Sequence, residues 1–370
     1  MKYLISGGGT GGHIFPAVSI ANALRQLDKD ADILFIGALG RMEMERVPEA
    51  GYRIIGLPVR GFNRAQPWKN ISVLIDLMRA MRQAKRIIRD FRPDVAVGVG
   101  GYASGAAMKV AARMGIPVLL QEQNGFAGVT NKLLKNDARK ICVAYEGMER
   151  FFPKDKIILT GNPVRQNLTE GSAERAVEFF NREFGVSFRA DIPTLLIIGG
   201  SLGARTINRS IIAALPELAA SGIQVIWQTG KGYIDECRQA MVPYADSSIV
   251  CTAFLGNMPD AYAIADLVIS RAGASSISEI CLLGKAAILV PSPNVAEDHQ
   301  THNAMALVRK DAAVLVTDAD APKQLVGTAL QLIRDTERLE VLSRNVRTLA
   351  QTDSAQRIAQ EVISLATNLG

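Results

Sequence analysis

Short apolar, β-branched runs alternate along the chain with stretches whose apolar residues recur at helical spacing, the pattern of βαβ units on a parallel sheet. Six runs, at 3–6, 33–36, 95–99, 118–121, 141–143 and 157–159, read as strands of one sheet. Six more, at 194–198, 224–228, 249–251, 267–270, 287–290 and 314–316, read as strands of a second. Helical patterns stand out at about 15–27, 174–184 and 354–368. The expected fold is therefore α/β, with two Rossmann-like domains facing a cleft. The glycine and proline of Gly161-Asn162-Pro163 break the pattern, which sets the expected domains at 1–163 and 164–350. The helix at 354–368 follows the complete second domain and is expected to pack back onto the first.

Glycines stand directly between a strand and a helix three times: Gly7-Gly8-Gly9-Thr10-Gly11-Gly12, GVGGYASG at 98–105 and GGSLGAR at 199–205. Ligands of open parallel sheets bind at the carboxyl ends of the strands, where helix N-terminal N–H groups meet phosphate oxygens. Three such turns point to a phosphorylated ligand, although each alone also serves close helix–sheet packing. The first turn lacks the Lys-Ser/Thr ending of a nucleotide triphosphatase loop. It departs from a dinucleotide fingerprint too, because no acidic residue ends the second strand, where Gly37 follows Ile36.

Composition narrows the class further. The 370 residues are 48% hydrophobic and 21% charged, which suits buried cores rather than disorder. No apolar run reaches the roughly 18 residues of a membrane span, and the first ten residues lack the pattern of a secretion signal, so the expected location is the cytoplasm. Cys142, Cys237, Cys251 and Cys281 show no CxxC pairing and are expected to form neither disulfide nor zinc site. The net charge of +6 is unevenly spread: residues 1–160 hold 24 Lys and Arg against 14 Asp and Glu, the remainder 18 against 22. A basic front half suits phosphates, nucleic acid or an anionic membrane.

Among titratable groups, His13 closes the first turn at the start of a helix, whose dipole disfavours the ring's proton and leaves it neutral. It reads as a base, a hydrogen-bonding ligand contact or a structural cap. His299 and His302 beside Asp298 lack a third ligand, so no metal is expected. In Ser270-Arg271-Ala272-Gly273-Ala274-Ser275-Ser276-Ile277-Ser278-Glu279 a strand passes into a helix, and Glu279 is placed either for a ribose diol or as an ordinary first-turn carboxylate.

GGGTGGHIFPA, GVGGYASG, QEQNG, GNPVR, GGSLGAR, RAGASSISE and DHQTHNA, in this order from residue 7 to 304, resemble the MurG family of bacterial peptidoglycan N-acetylglucosaminyltransferases. The resemblance implies a two-domain fold of the glycosyltransferase B type and no cofactor. It implies inverting transfer of N-acetylglucosamine from UDP-N-acetylglucosamine to the C4 hydroxyl of lipid I, undecaprenyl-pyrophosphoryl-N-acetylmuramyl-pentapeptide, giving lipid II and UDP. The acceptor and the membrane would be met by the first domain, the donor by the second. Thr10, Gly11 and Gly12 would lie near the sugar nucleotide and the acceptor pyrophosphate, and Asn124 against the transferred sugar. Arg165 and Ser201 would hold the nucleotide or its phosphates, Leu255 the uracil edge, Ala274 to Glu279 the ribose and phosphates, and Gln300 the sugar hydroxyls. Inversion needs a base and stabilisation of the leaving diphosphate. His13 is the candidate base, with Glu122 acting through a water as a weaker one and Tyr102 positioning the acceptor. The helix N-terminus after Gly273 is expected to stabilise the diphosphate together with Arg165 and Ser201. No DxD-like motif suggests a diphosphate-bound metal.

Residues 68–86 place Ile71, Leu74, Ile75, Met78 and Arg82 at helical spacing, with Arg79, Lys85 and Arg86 behind. This is either a core-facing helix with a basic outer side or, with Phe62 and Trp68, a membrane-dipping edge held by anionic lipid. A peripheral location on the cytoplasmic face of the inner membrane follows from the resemblance, with cell-wall synthesis and division proteins as further partners. No recognition motif supports nucleic acid. The alternatives are a related transferase with a soluble or diacylglycerol acceptor, a UDP-N-acetylglucosamine 2-epimerase, which shares fold class and donor, and a non-catalytic scaffold.

Overall fold

The computed structural model describes residues 1–59, 70–164, 166–200, 203–295 and 298–367. The chain forms two compact units, Met1–Arg165 with Asp353–Gly370, and Gln166–Thr352.

Unit 1 runs β1 (Lys2–Gly7), α1 (Gly11–Leu27), β2 (Asp32–Ala38), α2 (Glu43–Glu49), β3 (Arg53–Leu57), α3 (Asn70–Phe91), β4 (Val95–Gly100), α4 (Tyr102–Arg113), β5 (Val118–Glu122), α5 (Val129–Leu134), β6 (Lys140–Val143) and β7 (Ile157–Leu159). Its strands pair in parallel in the order β3-β2-β1-β4-β5-β6-β7. Helices cover both faces of the sheet, so its central strands are buried on both sides and read as continuous apolar runs. The strand β3, whose Arg53-Ile54-Ile55-Gly56-Leu57 is short and interrupted by glycine, was not among the expected strands.

Unit 2 runs α6 (Ala173–Phe184), β8 (Thr194–Ile198), α7 (Arg205–Ala213), α8 (Leu215–Ala220), β9 (Gln224–Gln228), α9 (Ile234–Met241), β10 (Ile249–Thr252), α10 (Met258–Ile264), β11 (Leu267–Ser270), α11 (Ala274–Leu283), β12 (Ala286–Leu289), α12 (His299–Val308), β13 (Val314–Leu315), α13 (Ala321–Leu332) and α14 (Thr336–Arg347). Its parallel order is β10-β9-β8-β11-β12-β13. The last helix, α15 (Ser354–Thr367), belongs to unit 1, where Ala355, Ile358, Ala359 and Val362 join the core formed by α1 and the sheet. Arg357 donates to the Leu159 carbonyl at 2.7 Å, and Lys140 pairs with Glu361.

Both sheets grow outward from their first strand in opposite directions, so each has a topological switch point, between β1 and β4 in unit 1 and between β8 and β11 in unit 2. At such a point the loops leaving the two strands diverge and open a crevice at their carboxyl ends. The glycine turn after β1 and the GVGGYASG turn after β4 line it in unit 1, Gly199-Gly200 after β8 and the RAGASS turn after β11 in unit 2.

On α3 the face toward the core is Val73, Leu77, Ala80, Ala84, Ile87 and Ile88. Ile75 and Met78 are exposed beside Arg79, Arg82, Lys85 and Arg86. The apolar stripe expected to face the core thus includes two outward residues. Phe62 and Trp68 lie outside the described residues, as do the side chains of Ile71 and Leu74. Among the described residues no helix is long and apolar enough to cross a membrane.

Candidate functional site

In unit 1 the helix α1 starts on the glycines themselves. The Thr10 carbonyl accepts from the His13 and Ile14 N–H groups at 3.1 and 3.2 Å, so Gly11 and Gly12 form the first helical positions, where an N–H needs no intrahelical partner. His13 is the third residue of the helix rather than a residue ahead of it. Among the described residues the Thr10, Gly11 and Gly12 N–H groups have no protein acceptor, which leaves them for an anion at the positive end of the helix.

The His13 ring is held on two sides. Its Nδ1 lies 3.0 Å from the Gly8 carbonyl and 3.4 Å from the Thr10 hydroxyl. A carbonyl can only accept, so the neutral ring carries its proton on Nδ1 and Nε2 keeps a lone pair. The ring rests on the turn after β4, where a Cβ added to Gly100 would lie 2.8 Å from Nε2. Gly100 and Gly101 have φ of +100° and +92°, and a Cβ on Gly101 would lie 2.5 Å from the Gly8 oxygen. Glycine at both positions is what lets the two switch-point loops meet around the histidine. Tyr102, the first residue of α4, follows at once and is 56% exposed.

The next loop is built on buried polar side chains. Gln121 donates to Asn162 Oδ1 at 3.0 Å, Asn162 to the Gln123 carbonyl at 2.9 Å, and Gln123 to the Val99 carbonyl at 2.8 Å and to Gln121 Oε1. This network ties the ends of β4, β5 and β7 together. Glu122 is 2% exposed; its Oε1 accepts from the Asn124 N–H at 3.2 Å, and its Oε2 from the Gly128 N–H and Asn131 Nδ2, both at 2.9 Å. Both oxygens are thus engaged in bracing the loop that carries Asn124. Taking a proton as a base would cost Glu122 some of these contacts.

In unit 2, α11 begins at Ala274 with no side-chain cap, and a Cβ added to Gly273 would meet nothing within 4 Å among the described residues. The Ser275 hydroxyl, on the first turn, is buried without a hydrogen-bond partner among the described residues. An uncapped ten-residue helix with an orphaned hydroxyl at its start suits an anionic oxygen. Ser276 lies half-buried on the same turn, while Ser278 donates to the Ala274 carbonyl at 2.9 Å. Ile277 is buried in the core, so its part in such a site would be played by its backbone. Glu279 accepts at Oε2 from the buried Tyr262 hydroxyl at 3.0 Å, which fixes the direction of its carboxylate.

Leu255 is buried, with its N–H donated to Gln228 Oε1 at 3.2 Å, so its carbonyl is the polar group it can offer. Gln300, on α12, accepts through Oε1 from the Ser292 N–H at 2.9 Å, which directs its Nε2 donors away from that contact. Arg271 donates to the Val290 and Pro291 carbonyls at 3.1 and 3.2 Å and to Asp318 at 2.5 Å, and Asp318 accepts from the Thr206 hydroxyl at 2.8 Å. The loops after β8, β11, β12 and β13 are thereby cross-tied. Arg165 and Ser201 lie outside the described residues. No group of three or more His, Cys, Asp or Glu that could hold a metal occurs among the described residues.

The expected residues gather in each unit at the carboxyl ends of its own strands: Thr10–His13, Tyr102, Glu122 and Asn124 in unit 1; Leu255, Ala274–Glu279 and Gln300 in unit 2. The positioning residues Gln121, Gln123, Asn162, Arg271 and Asp318 were not singled out from the sequence. Their signal was a polar side chain at the end of an apolar strand, as in the first three.

Residues 3–143 match the glycosyltransferase family 28 N-terminal domain and residues 194–362 its C-terminal domain. The chain is 58% identical over 366 residues, 98% of both chains, to the UDP-N-acetylglucosamine–N-acetylmuramyl-(pentapeptide) pyrophosphoryl-undecaprenol N-acetylglucosamine transferase of Parabacteroides distasonis. It is 59% identical to that of Bacteroides fragilis, over 99% of this chain and 96% of the relative. The crystal structure of Acinetobacter baumannii MurG superposes with a TM-score of 0.73 at 26% identity, covering 98% of this chain and 99% of that one. A UDP-GlcNAc 2-epimerase from Neisseria meningitidis, at TM-score 0.68 and 15% identity over 98% and 100%, shares the fold alone. The chain therefore belongs to glycosyltransferase family 28, among the UDP-N-acetylglucosamine–N-acetylmuramyl-(pentapeptide) pyrophosphoryl-undecaprenol N-acetylglucosamine transferases.

Proposed function

We propose that this protein transfers N-acetylglucosamine from UDP-N-acetylglucosamine to the C4 hydroxyl of lipid I, with inversion at the anomeric carbon, yielding lipid II and UDP. The observation that carries the mechanism is the His13 ring, whose Nδ1 lies 3.0 Å from the Gly8 carbonyl, an acceptor that calls for the proton on that nitrogen, beside three N–H groups without an acceptor among the described residues. In this reading His13 Nε2 takes the proton of the C4 hydroxyl as its oxygen bonds to the anomeric carbon, and the bond from that carbon to the UDP oxygen breaks with its electron pair. General-base assistance of this kind contributes about 10² to 10⁴ in rate. The Thr10–Gly12 amides receive the acceptor pyrophosphate, and Tyr102 and Asn124 position the sugars.

The second unit takes the donor. The start of α11 with Ser275 and Ser276 faces the diphosphate, Glu279 the ribose diol, the Leu255 carbonyl the uracil and Gln300 Nε2 the sugar hydroxyls; Arg165 and Ser201 complete the set. N–H dipoles directed at a leaving diphosphate stabilise the charge that develops there. The exposed Ile75 and Met78 beside Arg79, Arg82, Lys85 and Arg86 support contact with an anionic membrane surface, where the polyprenyl tail of the acceptor resides. That surface is the cytoplasmic face of the inner membrane, where the protein acts peripherally.

The reading is tested by following UDP release with and without a short-chain lipid I analogue. Release that requires the analogue supports it. Equal release in the absence of any acceptor refutes it in favour of an epimerase.

A further inference from the structure

Glu43, at the start of α2, is fully buried and plays no part in the steps above. Its Oε2 accepts from the Gly9 N–H at 2.9 Å and its Oε1 from the Ala38 N–H at 3.0 Å. Two glycines make room for it: a Cβ on Gly8 would lie 2.1 Å from Oε1, and one on Gly37 would lie 2.6 Å from Cγ. Neither glycine has a positive φ, so the carboxylate rather than the backbone demands their missing side chains. In dinucleotide-binding domains an acid ending the second strand reaches outward to a ribose. Here the acid arrives from α2 and turns inward, beneath the glycine turn.

The Gly9 N–H that Glu43 holds and the Gly8 carbonyl that accepts from His13 Nδ1 belong to one peptide group. In a planar trans peptide these two bonds point in opposite directions. Glu43 grips one end and His13 the other. This peptide lies between two glycines, the second at φ +89°, which is where a peptide plane reverses with least steric resistance. Reversal would turn an N–H toward the histidine, and an N–H demands an acceptor at Nδ1. The ring's proton would then move to Nε2, removing the lone pair that a base needs.

We propose that Glu43 is a positioning residue for His13, acting through the Gly8–Gly9 peptide group to fix the imidazole tautomer. The arrangement places a peptide between carboxylate and imidazole, where other sites join the two directly. The proposal rests on the function proposed above only for what His13 does to the acceptor; the tautomer itself is independent of that function.

The test labels the three histidines with ¹⁵N and records long-range ¹H–¹⁵N spectra at pH 8, using His13→Ala for assignment. The parent protein is expected to show the proton of His13 on Nδ1. Glu43→Gln keeps the size but offers one acceptor where two N–H groups need one. It is expected to show a mixture of tautomers, a turnover lowered at least ten-fold and a Kd for UDP-N-acetylglucosamine within two-fold of the parent. Should Glu43→Gln fail to fold, Gly8→Ala displaces the carboxylate instead, and is expected to shift the tautomer in the same way. A parent His13 protonated on Nε2 or an unchanged tautomer in a folded variant overturns the proposal, whereas unchanged turnover with a changed tautomer overturns the base assignment of His13 alone. If His13→Ala itself turns over normally, the base assignment falls, while the spectra still decide whether Glu43 sets the tautomer.

Discussion

At the scale of single residues, the account turns on His13. His13→Ala is expected to lower turnover by about 10² or more while leaving the affinity for UDP-N-acetylglucosamine within a few fold, because the ring is proposed to act on the acceptor hydroxyl and most of the proposed donor contacts belong to unit 2. Steady-state kinetics with calorimetric donor titration would read both; normal turnover would remove the residue from the mechanism. The position of His13 after a glycine turn was legible in the sequence. Glu43 was not, because nothing in Arg41-Met42-Glu43-Met44-Glu45 separates a buried acid from an exposed one. No acid ends β2, and the acid that fills the neighbourhood comes from a helix that starts six residues beyond Gly37. Only folding brings it there.

At the scale of elements, strands were easier to read than helix starts. Both sheets are parallel and covered on both faces, so nearly every strand reads as an apolar run; the edge strand β3, which opens on an exposed Arg53 and leaves Ile55 exposed, reads least like one. The sequence pattern puts the start of α1 at about residue 15, yet the helix begins on Gly11 and Gly12, which occupy positions with no intrahelical donor bond to lose. Asp260 on α10 illustrates a tie between elements. It accepts from the Ser172 N–H at 2.8 Å, Arg175 at 2.9 Å and Asn257 at 2.7 Å, joining α10 to the start of α6. Burial alone would raise this carboxyl, but those hydrogen bonds outweigh it and hold it below the usual range. The folded value is depressed, so the stabilisation is fully present above the unfolded value of about 3.9 and is lost as pH falls through the folded one. Asp260→Asn should therefore cost about 1–3 kcal/mol at pH 7, with the gap to the parent closing in acid, as urea titrations across pH would show.

The helix α15 makes a second elemental prediction. Ile358 is fully buried against the α1 side of unit 1, and Ile358→Ala leaves a cavity there. A loss of about 2–5 kcal/mol in urea unfolding is expected. A loss below about 0.5 kcal/mol would mean that α15 is not part of the unit 1 core.

At the scale of the whole molecule, two units repeat one solution: a parallel sheet that reverses direction at its first strand, with glycine or small-residue turns at the switch point. In each the chemistry gathers at the carboxyl ends of the strands, yet the two differ in what they offer. Unit 1 presents an oriented imidazole and amides that meet no acceptor among the described residues, whereas unit 2 presents an uncapped helix start, a serine hydroxyl without a partner among them and a carboxylate aimed by a tyrosine. The basic excess of residues 1–160 falls on the unit assigned to the anionic acceptor. The measurement that tests this division of labour most directly is transfer of radiolabelled sugar from UDP-N-acetylglucosamine to a short-chain lipid I analogue by the purified protein in the presence of EDTA. The account predicts label in a β-linked disaccharide product, formed only with the acceptor and with one UDP released per sugar transferred. Label that stays out of the acceptor while UDP is released would contradict it.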